Sequence, residues 1–136
     1  MRYLDANVIL RYLTGDDPAK AQACFSLFRR VAAGDEELVT SSVIVHEVLY
    51  VLTSRAQYGL SHQDAAARLR PILAMRGLKL TNKRVYARAL DVYAGYPRLD
   101  FGDALAVAES EHLGIREIVS YDSDYDSVPG VIRTEP

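Results

Sequence analysis

Cysteine is nearly absent from this 136-residue chain: Cys24 stands alone, so no internal disulfide can form. A lone cysteine suits a reducing compartment and packs more often as a small apolar residue than it acts as a nucleophile. A cytoplasmic protein is expected. Long apolar runs are missing as well. The most apolar stretch, Leu38 to Ser54, is interrupted by Glu47 and falls short of the ~18 residues that a membrane span needs. Met1 to Asp5 does not open the apolar core of a signal peptide, because Asp5 and Arg11 break it. Nor is there an excess of basic charge. Sixteen Lys and Arg against eighteen Asp and Glu leave a net charge of −2, which excludes a protein that coats nucleic acid by charge alone. No repeat, low-complexity tract or Gly/Ser linker divides the chain, so one domain over residues 1–136 is expected. Composition of 49% hydrophobic and 25% charged residues suits a globular domain with a real core.

Most chemical motifs also fail on spacing. His46-Glu47 begins the zinc-protease pattern, but the second histidine would have to stand at Tyr50. Asp122, Asp124 and Asp126 alternate like a calcium loop, yet Ser127 occupies the glycine position and Arg133 the glutamate position. Gly15-Asp16-Asp17 is a turn before a capped helix. None of the eight glycines makes a dinucleotide fingerprint or a phosphate loop, and no serine sits in a nucleophile elbow. His46, His62 and His112 are scattered.

What is present is an alternation of short strands and helices. Arg2–Leu4 reads as a strand, with a helix over Asn7–Leu13; Asp17-Pro18 caps and opens a helix to Ala33. Glu37–Thr40 is a strand, and Ser41 or Ser42 caps a third helix, apolar nearly all round and so expected to be buried. Ser61 with Asp64 opens a fourth helix containing Pro71, followed by a strand over Leu78–Thr81. Helices starting at Asn82 and Asp100, a strand over Ile118–Tyr121 and a last one over Val131–Arg133 complete the pattern. The fold class this predicts is a three-layer α/β/α sandwich around a short, mostly parallel sheet.

In such a sheet the residues after each strand gather along one edge, the usual ligand site. Asp5 and Asp122 follow strands, Glu47 lies in the first turns of the third helix, and Asp103 lies in the first turn of the sixth. Four acids can therefore converge. Asp5, Asp103 and Asp122 each have a plainer role open as helix caps or turn residues. Glu47 differs, because it is embedded among Val43, Ile44, Val45, Val48 and Leu49 with no Lys or Arg nearer than Arg55. A buried carboxylate needs a cation or a donor. Mutually repelling carboxylates resist ionisation until a divalent cation joins them, and an oxygen-only set selects Mg²⁺, with Mn²⁺ as substitute. Mg²⁺ usually keeps waters and substrate phosphate oxygens in its shell, which points to phosphodiester chemistry. An aspartyl-phosphate route is disfavoured, because the position two residues after Asp5 is Asn7.

Charge is unevenly spread. From Ala65 to Leu90 there are seven basic residues and no acid, whereas Asp91 to Pro136 holds ten acids and three bases. Arg68, Arg70, Arg76, Lys83, Arg84 and Arg88 are candidates for a phosphate-binding rim around the carboxylates, against the plainer reading of solvated helix faces.

Tyr3-Leu4-Asp5-Ala6-Asn7-Val8-Ile9-Leu10, Val39-Thr40-Ser41-Ser42-Val43-Ile44 leading to Glu47, Asp100-Phe101-Gly102-Asp103-Ala104-Leu105-Ala106, and Val119-Ser120-Tyr121-Asp122-Ser123-Asp124-Tyr125 together resemble PIN-domain proteins, specifically VapC-type toxins. The resemblance covers nearly the whole chain. It implies a single PIN-like nuclease domain, a Mg²⁺-dependent endoribonuclease that cuts single-stranded RNA, usually a homodimer neutralised by a VapB-type antitoxin. Asp5, Glu47 and Asp103 match the family's three constant acids. Asp122 matches its less constant fourth, with Asp124 as the alternative; one metal ion or two is left open. Asn7 matches a polar residue that helps to order the site, and Ser120 stands where threonine is common. Two other functions share this pattern: a PIN nuclease of RNA processing without an antitoxin, and a non-catalytic PIN module that binds RNA or protein. Degenerate modules usually lack one of the acids, and all four are present here.

Overall fold

The computed structural model describes residues 1–136, which fall into two compact units, Met1–Lys83 and Arg84–Pro136. In the first unit, β1 (Arg2–Tyr3), β2 (Leu38–Val39) and β3 (Leu78–Lys79) form a parallel sheet in that order. Arg2 lies opposite Leu38, and Leu38 opposite Leu78. Parallel neighbours cannot be joined by a hairpin, so helices carry the chain back each time. α1 (Ala6–Thr14) and α2 (Pro18–Ala33) link β1 to β2, and α3 (Ser42–Thr53) and α4 (His62–Leu73) link β2 to β3.

The caps that start these helices follow the sequence. Asp17 accepts from the Lys20 N–H at 3.1 Å ahead of Pro18, and Ser61 accepts from the Asp64 N–H at 3.0 Å. Gly77 is required by close approach. A Cβ there would lie 2.1 Å from the Glu36 carbonyl oxygen and 2.7 Å from that of Val31, and the Gly77 N–H itself donates to the Val31 carbonyl at 2.9 Å. This contact locks the end of α2 to the entry of β3.

One expectation fails at α3. Ile44, Val45, Val48, Leu49 and Leu52 are buried, as their spacing demands, but the opposite face is open. Val43 is 71% and Tyr50 67% exposed, and Glu47 lies between them on the same face. Two apolar side chains on the outward stripe disguise an ordinary one-sided helix as one buried all round.

The second unit holds the rest of α5 (Lys83–Gly95), then α6 (Phe101–His112), β4 (Glu117–Val119), a 3₁₀ turn (Ser123–Ser127) and β5 (Ile132–Thr134). β4 and β5 pair in parallel, Ile118 opposite Arg133. Val85, Tyr86, Ala89, Leu90, Val92 and Tyr93 give α5 a buried stripe at helical spacing. Phe101, at the start of α6, is flanked by the Tyr86 and Tyr93 rings, each with its centroid 6.3 Å away.

Several boundaries move. α5 begins at Lys83 because Asn82 takes a left-handed φ of 58°. β3 stops at Lys79, β4 sits one to two residues earlier than predicted, and the last strand one residue later. Six helices with every strand pair parallel give the predicted α/β class. No helix is long and apolar enough to cross a membrane.

Candidate active site

In the first unit Asp5 follows β1 by two residues and caps α1, where its carboxylate accepts from the Asn7 N–H at 3.3 Å. The cap leaves Asp5 exposed at the carboxyl end of the strand. Asn7 takes part through its backbone, and its side chain is also exposed. The position of Asp5 is fixed from behind by a residue the sequence does not advertise. Thr40, the single buried polar residue, donates its hydroxyl to the Leu4 carbonyl at 3.1 Å, while the Leu4 N–H donates to Val39 at 2.8 Å. β1 and β2 are thus tied together at the residue preceding Asp5.

Glu47 requires a correction. Its carboxylate is exposed on the open face of α3, so burial does not oblige it to have a partner. Ser41 stands at the N-cap of α3 but makes no side-chain cap bond; its hydroxyl pairs instead with that of Tyr3, at 2.5 Å.

The second unit builds its acids into a network. Asp100 caps α6, its carboxylate accepting from the Asp103 N–H at 2.8 Å. Asp103, half-buried in the first turn, accepts from the Tyr125 hydroxyl at 3.1 Å. Burial, followed by the charge of Asp100, raises the Asp103 carboxyl above its ordinary value; Asp122 pushes the same way and the Tyr125 bond pulls against them. Burial and the nearby Asp103 in turn push the Tyr125 hydroxyl up. Beyond β4, the Asp122 N–H donates to the Ser120 hydroxyl at 2.9 Å, and the Asp122 carboxylate accepts from the Asp124 N–H at 2.9 Å, opening the 3₁₀ turn. The Ser120 carbonyl accepts from Arg133 at 3.1 Å. Asp124 is half-buried within that turn.

Asp103 and Asp122 are therefore brought together, joined by Asp100 and Tyr125, to which the sequence had assigned at most a cap. No group of three or more His, Cys, Asp or Glu side chains is drawn close enough to hold a metal ion by itself. Mg²⁺ asks less of a protein. It keeps several waters and usually takes one or two carboxylates plus substrate phosphate oxygens. Oxygen ligands only, with a half-buried aspartate crowded by two others, fit such an ion.

The basic candidates divide into free and committed cations. Arg68 and Arg84 stand exposed with no ion-pair partner, and the Arg76 side chain lies over Gly34. Arg70 is half-buried and engaged. Lys83 donates to the Met75 carbonyl at 2.5 Å, and burial, with Lys79 beside it, lowers its pKa. Arg88 makes a two-pronged pair with Glu111 at 2.8 and 3.0 Å.

Comparison with known proteins places the chain among relatives of one family. The PIN domain family matches residues 2–131. Two curated proteins, VapC ribonuclease Mb1869c of Mycobacterium bovis and Ribonuclease VapC13 of Mycobacterium tuberculosis, are each 28% identical to the chain over 136 residues, covering 98% of it and 98% of their own length.

Proposed function

The chain belongs to the PIN-domain family, and on that premise we propose that it is an endoribonuclease, dependent on Mg²⁺ with Mn²⁺ able to substitute, that hydrolyses phosphodiester bonds in single-stranded RNA. The observation that carries this reading is the family match over residues 2–131 together with the acidic network at the start of α6, where half-buried Asp103 is capped by Asp100 and bonded by Tyr125 from the turn that Asp122 opens. Residues 1–136 are read as one nuclease domain, because the family match crosses the boundary between the two units.

Asp5 and Asp103 supply most of the metal affinity, since both project from junctions with fixed backbone. Glu47 acts through water or holds a second ion, and Asp122, with Asp124 the alternative, serves as fourth acid. A divalent cation held by these residues would supply Lewis-acid polarisation of a phosphoryl oxygen and a more acidic water. Exposed Asp5 and Glu47 offer oxygens that orient water by accepting its protons. Asn7 and Ser120 order the loops that carry these acids. Arg68, Arg76 and Arg84 meet RNA phosphates without reading bases.

The toxin role, with a VapB-type antitoxin as partner in the cytoplasm, is supported by the four sequence blocks and by the names of the two relatives. A homodimer is supported by exposed apolar side chains such as Leu113 and Val119, which belong to other elements than the α3 helix that carries Glu47. The test is cleavage of single-stranded RNA by purified protein. Wild type should cut in Mg²⁺ and stop in EDTA, and Asp103→Ala should lose on the order of 10³-fold or more, the scale of losing stabilisation of transition-state charge. A folded Asp103→Ala protein that still cuts removes Asp103 from the site; cutting that survives EDTA removes the metal.

A further inference from the structure

Tyr125 is 7% exposed, and its hydroxyl is the one polar group on a ring that phenylalanine would otherwise match in shape. Burying a hydroxyl is unfavourable unless a partner compensates, and here that partner is Asp103 Oδ1 at 3.1 Å. The donor comes from a different element. Asp103 stands in the first turn of α6, whereas Tyr125 lies in the 3₁₀ turn that Asp122 opens. That turn is held at both ends: the Tyr125 N–H reaches the Asp122 carbonyl at 3.4 Å, and the Val128 N–H reaches the Tyr125 carbonyl at 3.2 Å. One hydrogen bond therefore fixes the spacing between the loop carrying Asp122 and the helix carrying Asp103.

We propose that Tyr125 is a positioning residue for Asp103: its buried hydroxyl occupies Oδ1, sets the rotation of the carboxylate and leaves Oδ2 as the oxygen presented to a divalent cation. A carboxylate with both oxygens free samples several orientations and binds either through one oxygen or through two. With one oxygen taken, a single mode remains, and the ion meets a ligand that is already oriented. Asp100 does a different job: its carboxylate caps α6 by accepting the Asp103 N–H, and its charge and side-chain contact favour the neutral Asp103 carboxyl, whereas the Tyr125 hydroxyl favours the carboxylate. All the groups involved belong to the second unit, so the argument is local to it.

The inference rests on the proposed metal site, and the experiment separates the two. Mn²⁺ binding is measured by electron paramagnetic resonance on wild type, Asp103→Ala and Tyr125→Phe, alongside thermal midpoints. Tyr125→Phe should bind Mn²⁺ about 10-fold or more weakly, with its thermal midpoint shifted by no more than a few degrees and the KM for RNA unchanged. Wild-type affinity in Tyr125→Phe overturns the positioning role while leaving the metal site standing. A wild type that binds no Mn²⁺ overturns both. A second measurement needs no substitution at Tyr125. Among the nine tyrosines of wild-type protein labelled with ¹³C at Cζ, one buried resonance should move when Mg²⁺ is added and stay still in Asp103→Ala; nine unmoved resonances in wild type also overturn the proposal.

Discussion

Asp5 and Glu47, in the first unit, stand exposed on elements whose backbone fixes them, whereas Asp103 and Asp122, in the second, are wired through side chains to Tyr125, Asp100 and Ser120. The contrast shows two ways to hold a carboxylate ready. In the first, position comes from a strand end and a helix cap, and solvent screens the charge. In the second, position comes from neighbours, which at half-buried Asp103 also impose burial and repulsion, so placement and electrostatics cannot be changed separately there. Substitutions should therefore damage the two units differently even where they abolish the same activity.

The sharpest stability effect is expected behind Asp5, at Thr40. Thr40→Val keeps the branched shape but removes the donor to the Leu4 carbonyl in a buried setting. Leaving that acceptor unpaired should cost about 1–3 kcal/mol. Denaturant unfolding measures it, and a neutral outcome would mean that the β1–β2 tie does not hold the strand end.

A comparison of Asp5→Ala with Asp103→Ala tests the contrast directly. Asp5 caps α1, so its loss should destabilise the metal-free protein by about 0.5–2 kcal/mol. Asp103→Ala leaves the buried Tyr125 hydroxyl without its acceptor but also removes the repulsion from Asp100 and Asp122, so the two changes offset and the metal-free protein should lose less stability than Asp5→Ala does. Thermal melts in EDTA decide between them. Equal destabilisation by both would erase the distinction between the units.

How much of this was legible depends on whether the cause was local in sequence. Asp17-Pro18, Ser61 and Asp100 announce their helices because a cap and the amide it serves are three residues apart or fewer, and all three make the bond. The places of the four acids in the fold were legible, because they follow from strand ends and helix starts. Glu47 was misjudged because Val43 and Tyr50, apolar but exposed, hide the polar stripe on which it sits. The links to Asp103 and Asp5 were beyond reading. Tyr125 is 22 residues from Asp103, and Thr40 is 36 from Leu4, so neither leaves a periodic or neighbouring signal. Glu111 is likewise 23 residues from Arg88, so the pair that engages this cation leaves no neighbouring signal.

That pair supplies the smallest effect and the finest test of what the second unit does with charge. Arg88 and Glu111 are 48% and 41% exposed, so solvent screens them and the pair is worth less than about 1 kcal/mol. The Arg88 guanidinium holds the Glu111 carboxyl below its ordinary value, and Glu111 holds Arg88 above its own. A lowered carboxyl contributes stability above its unfolded-state value and loses it as pH falls through the lowered folded-state value. Glu111→Gln should accordingly lose a fraction of a kcal/mol at neutral pH and nothing in strong acid, and added salt should shrink the difference. The same substitution releases Arg88. If that arginine lies along the path of RNA, binding should strengthen at low salt, and the slope of log K against log salt should steepen by about 0.7 for one additional phosphate contact on a single strand. An unchanged slope assigns Arg88 to holding α5 against α6 and leaves the phosphate contacts to cations without partners, Arg68 and Arg84 among them.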